Sequence, residues 1–282
     1  MGEKIKFTKM HGCGNDYIYI NGFVETIEDK PSFVQKVSHR NFGIGGDGVI
    51  FINPSTIADF EMEMYNADGS RSEMCGNGIR CVGKYVYDYK LTNQTKIQVE
   101  SMGSIKYLEL FVKNGKVDKV RVDMGEPILE AKKIPVLSED EQVVAKKIEI
   151  LQNSYEMTCV SMGNPHAVVF VEEVANLELD KIGPLFEHNS LFPNRINAEF
   201  VKVIDESNVD MRVWERGTGE TLACGTGCCA TCVACVLNHK TNNQITVHVL
   251  GGEIEVEWNR EDNRIYMTGP AVTVFDGEID KI

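Results

Sequence analysis

Cys75-Gly76-Asn77-Gly78 returns further along the chain as Cys224-Gly225-Thr226-Gly227, at an offset of 149 residues (75 to 224) in a sequence of 282. The same offset pairs Gly14-Asn15 with Gly163-Asn164, His39 with His188, Phe51 with Phe200, Met62 with Met211 and Gly103 with Gly252. No gap is needed over that span, which marks an internal duplication. Two similar halves are therefore expected about a pseudo-two-fold axis, each delivering one cysteine in the same setting.

The local pattern around each cysteine is a helix start. Ile79, Val82, Val86 and Tyr89 mark one apolar face of a helix running from Gly76 to about Tyr89. From Gly225 to about Leu237 the residues are small and apolar nearly all round, so that helix must be surrounded by protein. Ser32 to Val37 can start a further short helix. Most of the rest reads as strands. Phe60-Glu61-Met62-Glu63-Met64, Val209-Asp210-Met211-Arg212-Val213 and Glu253-Ile254-Glu255-Val256-Glu257 alternate apolar and polar, as half-buried strands do. Asn114-Gly115 is a hairpin signal. Its counterpart near Asp262-Asn263 is shorter, since the offset drops to 144 between Gly125 and Gly269. The fold class expected is α+β, with two domains of strands wrapped about a central helix. They span 1–125 and 126–282, the last strand being a candidate to pack on the first domain.

Bulk properties narrow the function. A net charge of −13 with dispersed Lys and Arg argues against nucleic acid as a partner. No basic segment followed by a long apolar run stands at the start, and no apolar stretch approaches a membrane span. Nine cysteines at irregular spacings point to thiols in a reducing cytoplasm.

Backbone N–H groups and the dipole at a helix start favour negative charge, so Cys75 and Cys224 are expected to have lowered thiol pKa values. The neighbouring glycines allow a substrate carboxylate close to the backbone. Two thiols on opposite walls of one cleft could take a proton from one face of a carbon and return it to the other. His166 and Glu215 are the candidates for adjusting thiol protonation, and Arg216 offers a planar fork for a carboxylate. Cys228, Cys229, Cys232 and Cys235 share one helix. They read as small core residues rather than metal ligands, because one continuous helix cannot close a tetrahedron.

The motifs Met10-His11-Gly12-Cys13-Gly14-Asn15-Asp16-Tyr17, Gly43-Ile44-Gly45-Gly46-Asp47-Gly48 and Asn66-Ala67-Asp68-Gly69-Ser70 resemble those of the diaminopimelate epimerase family. So do Met74-Cys75-Gly76-Asn77-Gly78-Ile79-Arg80-Cys81, Met162-Gly163-Asn164-Pro165-His166, Glu215-Arg216-Gly217 and Ala223-Cys224-Gly225-Thr226-Gly227. The resemblance implies interconversion of LL- and meso-2,6-diaminoheptanedioate in lysine and peptidoglycan precursor synthesis, without pyridoxal phosphate or metal. It implies two domains, each a mixed β-sheet rolled into a barrel around a central α-helix, and a cytoplasmic homodimer. Cys75 matches the proton donor and Cys224 the acceptor in the LL-to-meso direction, with His166 and Glu215 assisting. Gly76-Asn77 and Gly225-Thr226 match the cradle for the reacting carboxylate. Asn15, Asn66, Asn164, Asn197, Glu215 and Arg216 match residues binding the rest of the substrate. Gly48 departs from the pattern, since some relatives carry a substrate-contacting Gln there; backbone or water is expected to replace it. The alternatives are a related cofactor-independent racemase, such as a proline racemase, and more remotely a thiol redox or metal-binding protein.

Overall fold

A computed structural model describes residues 4–72 and 75–281, so Met74 of the first cysteine motif lies outside the described residues. The chain divides into two compact units. One comprises Met1–Val122 with Gly269–Ile282, the other Asp123–Thr268. The sequence boundary after Gly125 thus shifts by a few residues, and the C-terminal segment returns to the first unit.

In the first unit the strands are β1 (Lys4–Gly12), β2 (Asn15–Asn21), β3 (Gly48–Asn53), β4 (Phe60–Asn66), β5 (Arg71–Ser72), β6 (Lys96–Ser101), β7 (Ser104–Lys113) and most of β8 (Lys116–Gly125). Its helices are α1 (Lys30–Ser38) and α2 (Gly76–Asp88). The second unit holds β9 (Lys146–Ile150), β10 (Asn153–Ser161), β11 (Pro165–Phe170), α3 (Leu179–Glu187), β12 (Asn197–Asp205), β13 (Asn208–Glu215), β14 (Gly219–Thr221) and α4 (Gly225–Leu237). It continues with β15 (Gln244–Val249), β16 (Gly252–Asn259) and most of β17 (Arg264–Pro270). The last strand, β18 (Val272–Asp280), belongs to the first unit and pairs antiparallel with β1 from Lys4↔Asp280 to His11↔Val272.

The duplication is visible strand by strand. β2 runs parallel to β3 with Tyr17 opposite Gly48, and β11 runs parallel to β12 with His166 opposite Asn197. β4 runs parallel to β6 as β13 does to β15, while the remaining pairings are mainly antiparallel. Both units are therefore mixed sheets. The 149-residue offset carries α2 onto α4 end to end, and also carries α1 onto α3. α3 escapes a direct reading because Gly183 and Pro184 interrupt its helical pattern.

Each cysteine-led helix is the centre of its unit. α2 packs against β1, β2 and β7, and α4 against β10, β11, β12, β15 and β16. From Gly225 to Cys235 every α4 side chain except Thr226 is buried, as an apolar helix with strands on several sides requires. Ile79, Val82 and Val86 are buried on α2, whereas Tyr89 lies half-exposed just beyond its end. The hairpin at Asn114-Gly115 takes positive φ at both residues, 52° and 76°, as its sequence demands. Among the described residues no helix is long and apolar enough to cross a membrane.

Candidate active site

Cys75 is the N-cap of α2. Its extended backbone (φ −129°, ψ 115°) lets the sulfur turn back and accept from the Gly78 N–H at 3.3 Å. The thiol donates to Asn15 Oδ1 at 3.0 Å. Asn15 is oriented in turn by its Nδ2, which donates to Asp47 Oδ2 at 2.7 Å. Arg40 bridges Asp47 and Asp16, and the buried Lys9 ammonium reaches Asp16 at 2.5 Å and the Gly45 carbonyl. A chain of charges thus fixes the group that meets the thiol. Asn66, at the end of β4, donates to Ser70 Oγ at 3.1 Å. Opposite it, Gly48 has no room for any side chain: a Cβ would stand 2.0 Å from the Tyr65 carbonyl oxygen. This backbone leaves no room for a Gln side chain at that position.

Cys224 is the N-cap of α4 in the same extended conformation (φ −114°, ψ 111°), but its surroundings are acidic. Its sulfur lies 3.5 Å from Thr226 Oγ1. Glu215, at the end of β13, accepts from Thr221 Oγ1 at 2.5 Å and also from the Cys224 thiol. His166 on β11 is wholly buried, with Nδ1 2.7 Å from Glu199 Oε1 and Nε2 3.0 Å from Asn164 Oδ1. Asn197 is engaged at both ends: Nδ2 donates to the Pro165 carbonyl at 2.8 Å, and Oδ1 accepts from the Arg216 N–H at 2.9 Å. The Arg216 guanidinium is exposed and donates to the Asn194 carbonyl. Glu187, buried against Trp214 and the Gly217 N–H, anchors that turn.

Helix-start geometry alone predicts a lowered thiol pKa at Cys224, and here the structure differs. Burial, then the Glu215 and Glu199 carboxylates, push that thiol well above its ordinary value; the Thr226 hydroxyl and the Gly227 amide oppose them without prevailing. Glu215 is itself raised, by burial and by Glu199, against the lowering influence of Thr221, His166 and Cys224. The resting pair is a thiol donating to a carboxylate that holds protons more tightly than usual.

In the first unit, then, Cys75, Asn15, Gly76 and Asn77 come together, with Asn66 at the neighbouring strand end. The second gathers Cys224, Gly225, Thr226, Glu215, His166 and Asn164, and Asn197 shapes the Arg216 turn. Glu199 is the group that sequence reasoning missed. The offset places it opposite Ile50, so a charge in an apolar strand position was the available signal. Cys228, Cys229, Cys232 and Cys235 are buried along α4, and no metal-ligand set of three His, Cys, Asp or Glu occurs among the described residues.

The sequence model of the diaminopimelate epimerase family matches residues 7–130 and 158–274. The diaminopimelate epimerase of Acetivibrio thermocellus is 58% identical over 276 residues, covering 98% of this chain and 99% of that protein. That of Agathobacter rectalis is 57% identical over 285 residues, covering 99% and 100%. Among solved structures, a hydroxyproline epimerase from Agrobacterium vitis has the same fold at 12% identity, with a TM-score of 0.68, covering 99% of this chain and 92% of its own. Both cysteine-capped helices fall inside the matched regions, and at this level of identity along its whole length the chain belongs to the diaminopimelate epimerase family.

Proposed function

We propose that the chain interconverts LL- and meso-2,6-diaminoheptanedioate by a two-thiol proton transfer that uses neither pyridoxal phosphate nor metal. The carrying observation is the family match across both cysteine-capped helices. In the LL-to-meso direction the Cys224 proton passes to Glu215, whose raised proton affinity suits it to receive one. The Cys224 thiolate then takes the α-proton, and Cys75 delivers its own proton to the opposite face of that carbon. One turnover leaves the extra proton on Glu215 and a thiolate at Cys75, and exchange with solvent resets both.

The α-proton of an amino acid is far less acidic than a thiol, so the developing charge needs support. The backbone at the starts of α2 and α4, at Gly76-Asn77 and Gly225-Thr226, lies at the positive ends of the two helices and suits the reacting carboxylate. Asn15, Asn66, Asn164, Asn197, Glu215 and Arg216 bind the rest of the substrate, and Asn197 also accepts from the Arg216 backbone N–H. Homodimerisation and a cytoplasmic setting, serving lysine and peptidoglycan precursor synthesis, complete the proposal. The test is a coupled assay for meso product from LL-substrate with the purified protein. Turnover supports the reading, and no turnover beside normal racemisation of proline or a hydroxyproline would replace it.

A further inference from the structure

The 149-residue offset lets the two thiol sites be compared group by group. Cys75 corresponds to Cys224, Gly78 to Gly227, Tyr17 to His166, Asn66 to Glu215 and Ile50 to Glu199. The last correspondence holds in space. A Cβ added to Gly78 would meet Ile50 Cδ1 at 2.7 Å, and one added to Gly227 would meet Glu199 Oε1 at 2.7 Å. One spot under the first turn of the helix holds a methyl group in one unit and a carboxylate oxygen in the other.

That carboxylate is out of keeping with its surroundings. Glu199 is 0% exposed, its Oε1 meets His166 Nδ1, and its Oε2 has no hydrogen-bond partner. Burying a carboxylate with one oxygen unsatisfied opposes folding, and Ile50 shows that the spot can be filled without charge. A packing role does not account for it.

We infer that Glu199 is a positioning residue that makes the Cys224 site chemically unlike the Cys75 site, holding His166 by Nδ1 and facing the start of the Cys224 helix. The Glu199 carboxylate takes the Nδ1–H and Asn164 Oδ1 stands against Nε2, so the imidazole is held at both ring nitrogens and its orientation is fixed. The same negative charge favours the protonated forms of Cys224 and Glu215, the two groups between which the first proton moves. Glu199 thus touches the His166 ring and acts on both Cys224 and Glu215, biasing Cys224 towards a resting thiol. The kinetic consequence rests on the epimerase reading; the titration does not.

The test uses Glu199→Gln in the whole protein, because Gln keeps the shape and an acceptor for His166 while removing the charge. Cysteine labelled at 13Cβ, with Cys224 assigned by Cys224→Ala, should show Cys224 titrating at least about half a pH unit lower in E199Q. Cys75 should not move. The rate should fall at least about tenfold in kcat with KM nearly constant, since a positioning defect acts on the reacting groups. An unmoved Cys224 titration, or an equal shift at Cys75, overturns the inference. Should E199Q fail to fold, 15N-histidine spectra of the unaltered protein still decide: a proton on His166 Nδ1 supports it, and an Nε2–H tautomer overturns it. The expected titration in a chain inactive on LL-substrate would remove the epimerase reading and leave the effect of Glu199 intact.

Discussion

The Cys75 thiol donates to Asn15 Oδ1 at 3.0 Å, and the direction of that bond is set by Asp47, which accepts from the other end of the same amide. Asp47→Ala should free the Asn15 side chain to rotate without touching the thiol. The expected result is a loss of about 10- to 100-fold in kcat, because small misplacements of reacting groups have effects of that order. Steady-state kinetics beside a thermal melt would check it; unchanged kcat in a folded variant contradicts the role given to Asp47.

Isotope placement tests the two-thiol scheme most directly. In D2O at low conversion of LL-substrate, product should carry one deuterium at the inverted carbon while recovered substrate carries almost none. A single base serving both faces would label both. Cys75→Ala and Cys224→Ala should each abolish epimerisation, and a substantial residual rate in either would contradict the scheme.

The two thiols differ in access. Cys75 is half-buried, whereas Cys224 is 6% exposed and its thiol is pushed up by burial and by Glu215 and Glu199. Iodoacetamide at neutral pH should modify Cys75 first, by about tenfold or more in rate. Peptide mass spectrometry at short times would show it, and Cys224 reacting first would contradict the structure.

Glycine has a different meaning at the two helix starts. Gly227→Ala would press a methyl group within 2.7 Å of Glu199 Oε1 and 3.2 Å of Cys224 Cβ, while Gly78→Ala meets the end of the Ile50 side chain, which can turn aside. Gly78→Ala should cost about 1–3 kcal/mol of stability and keep measurable activity. Gly227→Ala should lose about 100-fold in kcat. Equal activity losses, measured under saturating substrate, would contradict the distinction.

Acid should act on the Asp16 network. Burial raises Asp16, but hydrogen bonds and charge from Arg40 and Lys9 bring it below the ordinary carboxylate value. A depressed carboxylate stabilises the fold above its unfolded pKa of about 4 and loses that contribution as pH falls through the folded value. Asp16→Asn also strands the buried Lys9 ammonium, so at pH 7 it should cost about 3 kcal/mol in urea unfolding. The gap from the unaltered protein should narrow below about pH 4. A gap independent of pH would show that the charge is not what matters.

Sequence and structure meet most closely where one local rule dominates. The helix after each cysteine, the alternating strand at Phe60–Met64 and the Asn114-Gly115 turn could be read directly, because capping, periodicity and positive φ act within a few residues. α3 was hidden by Gly183 and Pro184, although the repeat carried α1 onto it. The thiol pKa expected at Cys224 failed for a tertiary reason: the helix start acts locally, but Glu199 and Glu215 arrive from other strands. Asn197 likewise reveals its backbone partners only once β11, β12 and the Arg216 turn are assembled.

The pairing of β18 with β1 sets an order of events during synthesis. The second unit is encoded as one continuous stretch, Asp123–Thr268, whereas the first lacks its closing strand until Val272–Asp280 has been translated. In chain order, the later-encoded unit has all of its strands before the earlier one does. Until β18 arrives, the nascent chain must carry β1 with an open edge, which is when it is most exposed to pairing with another chain.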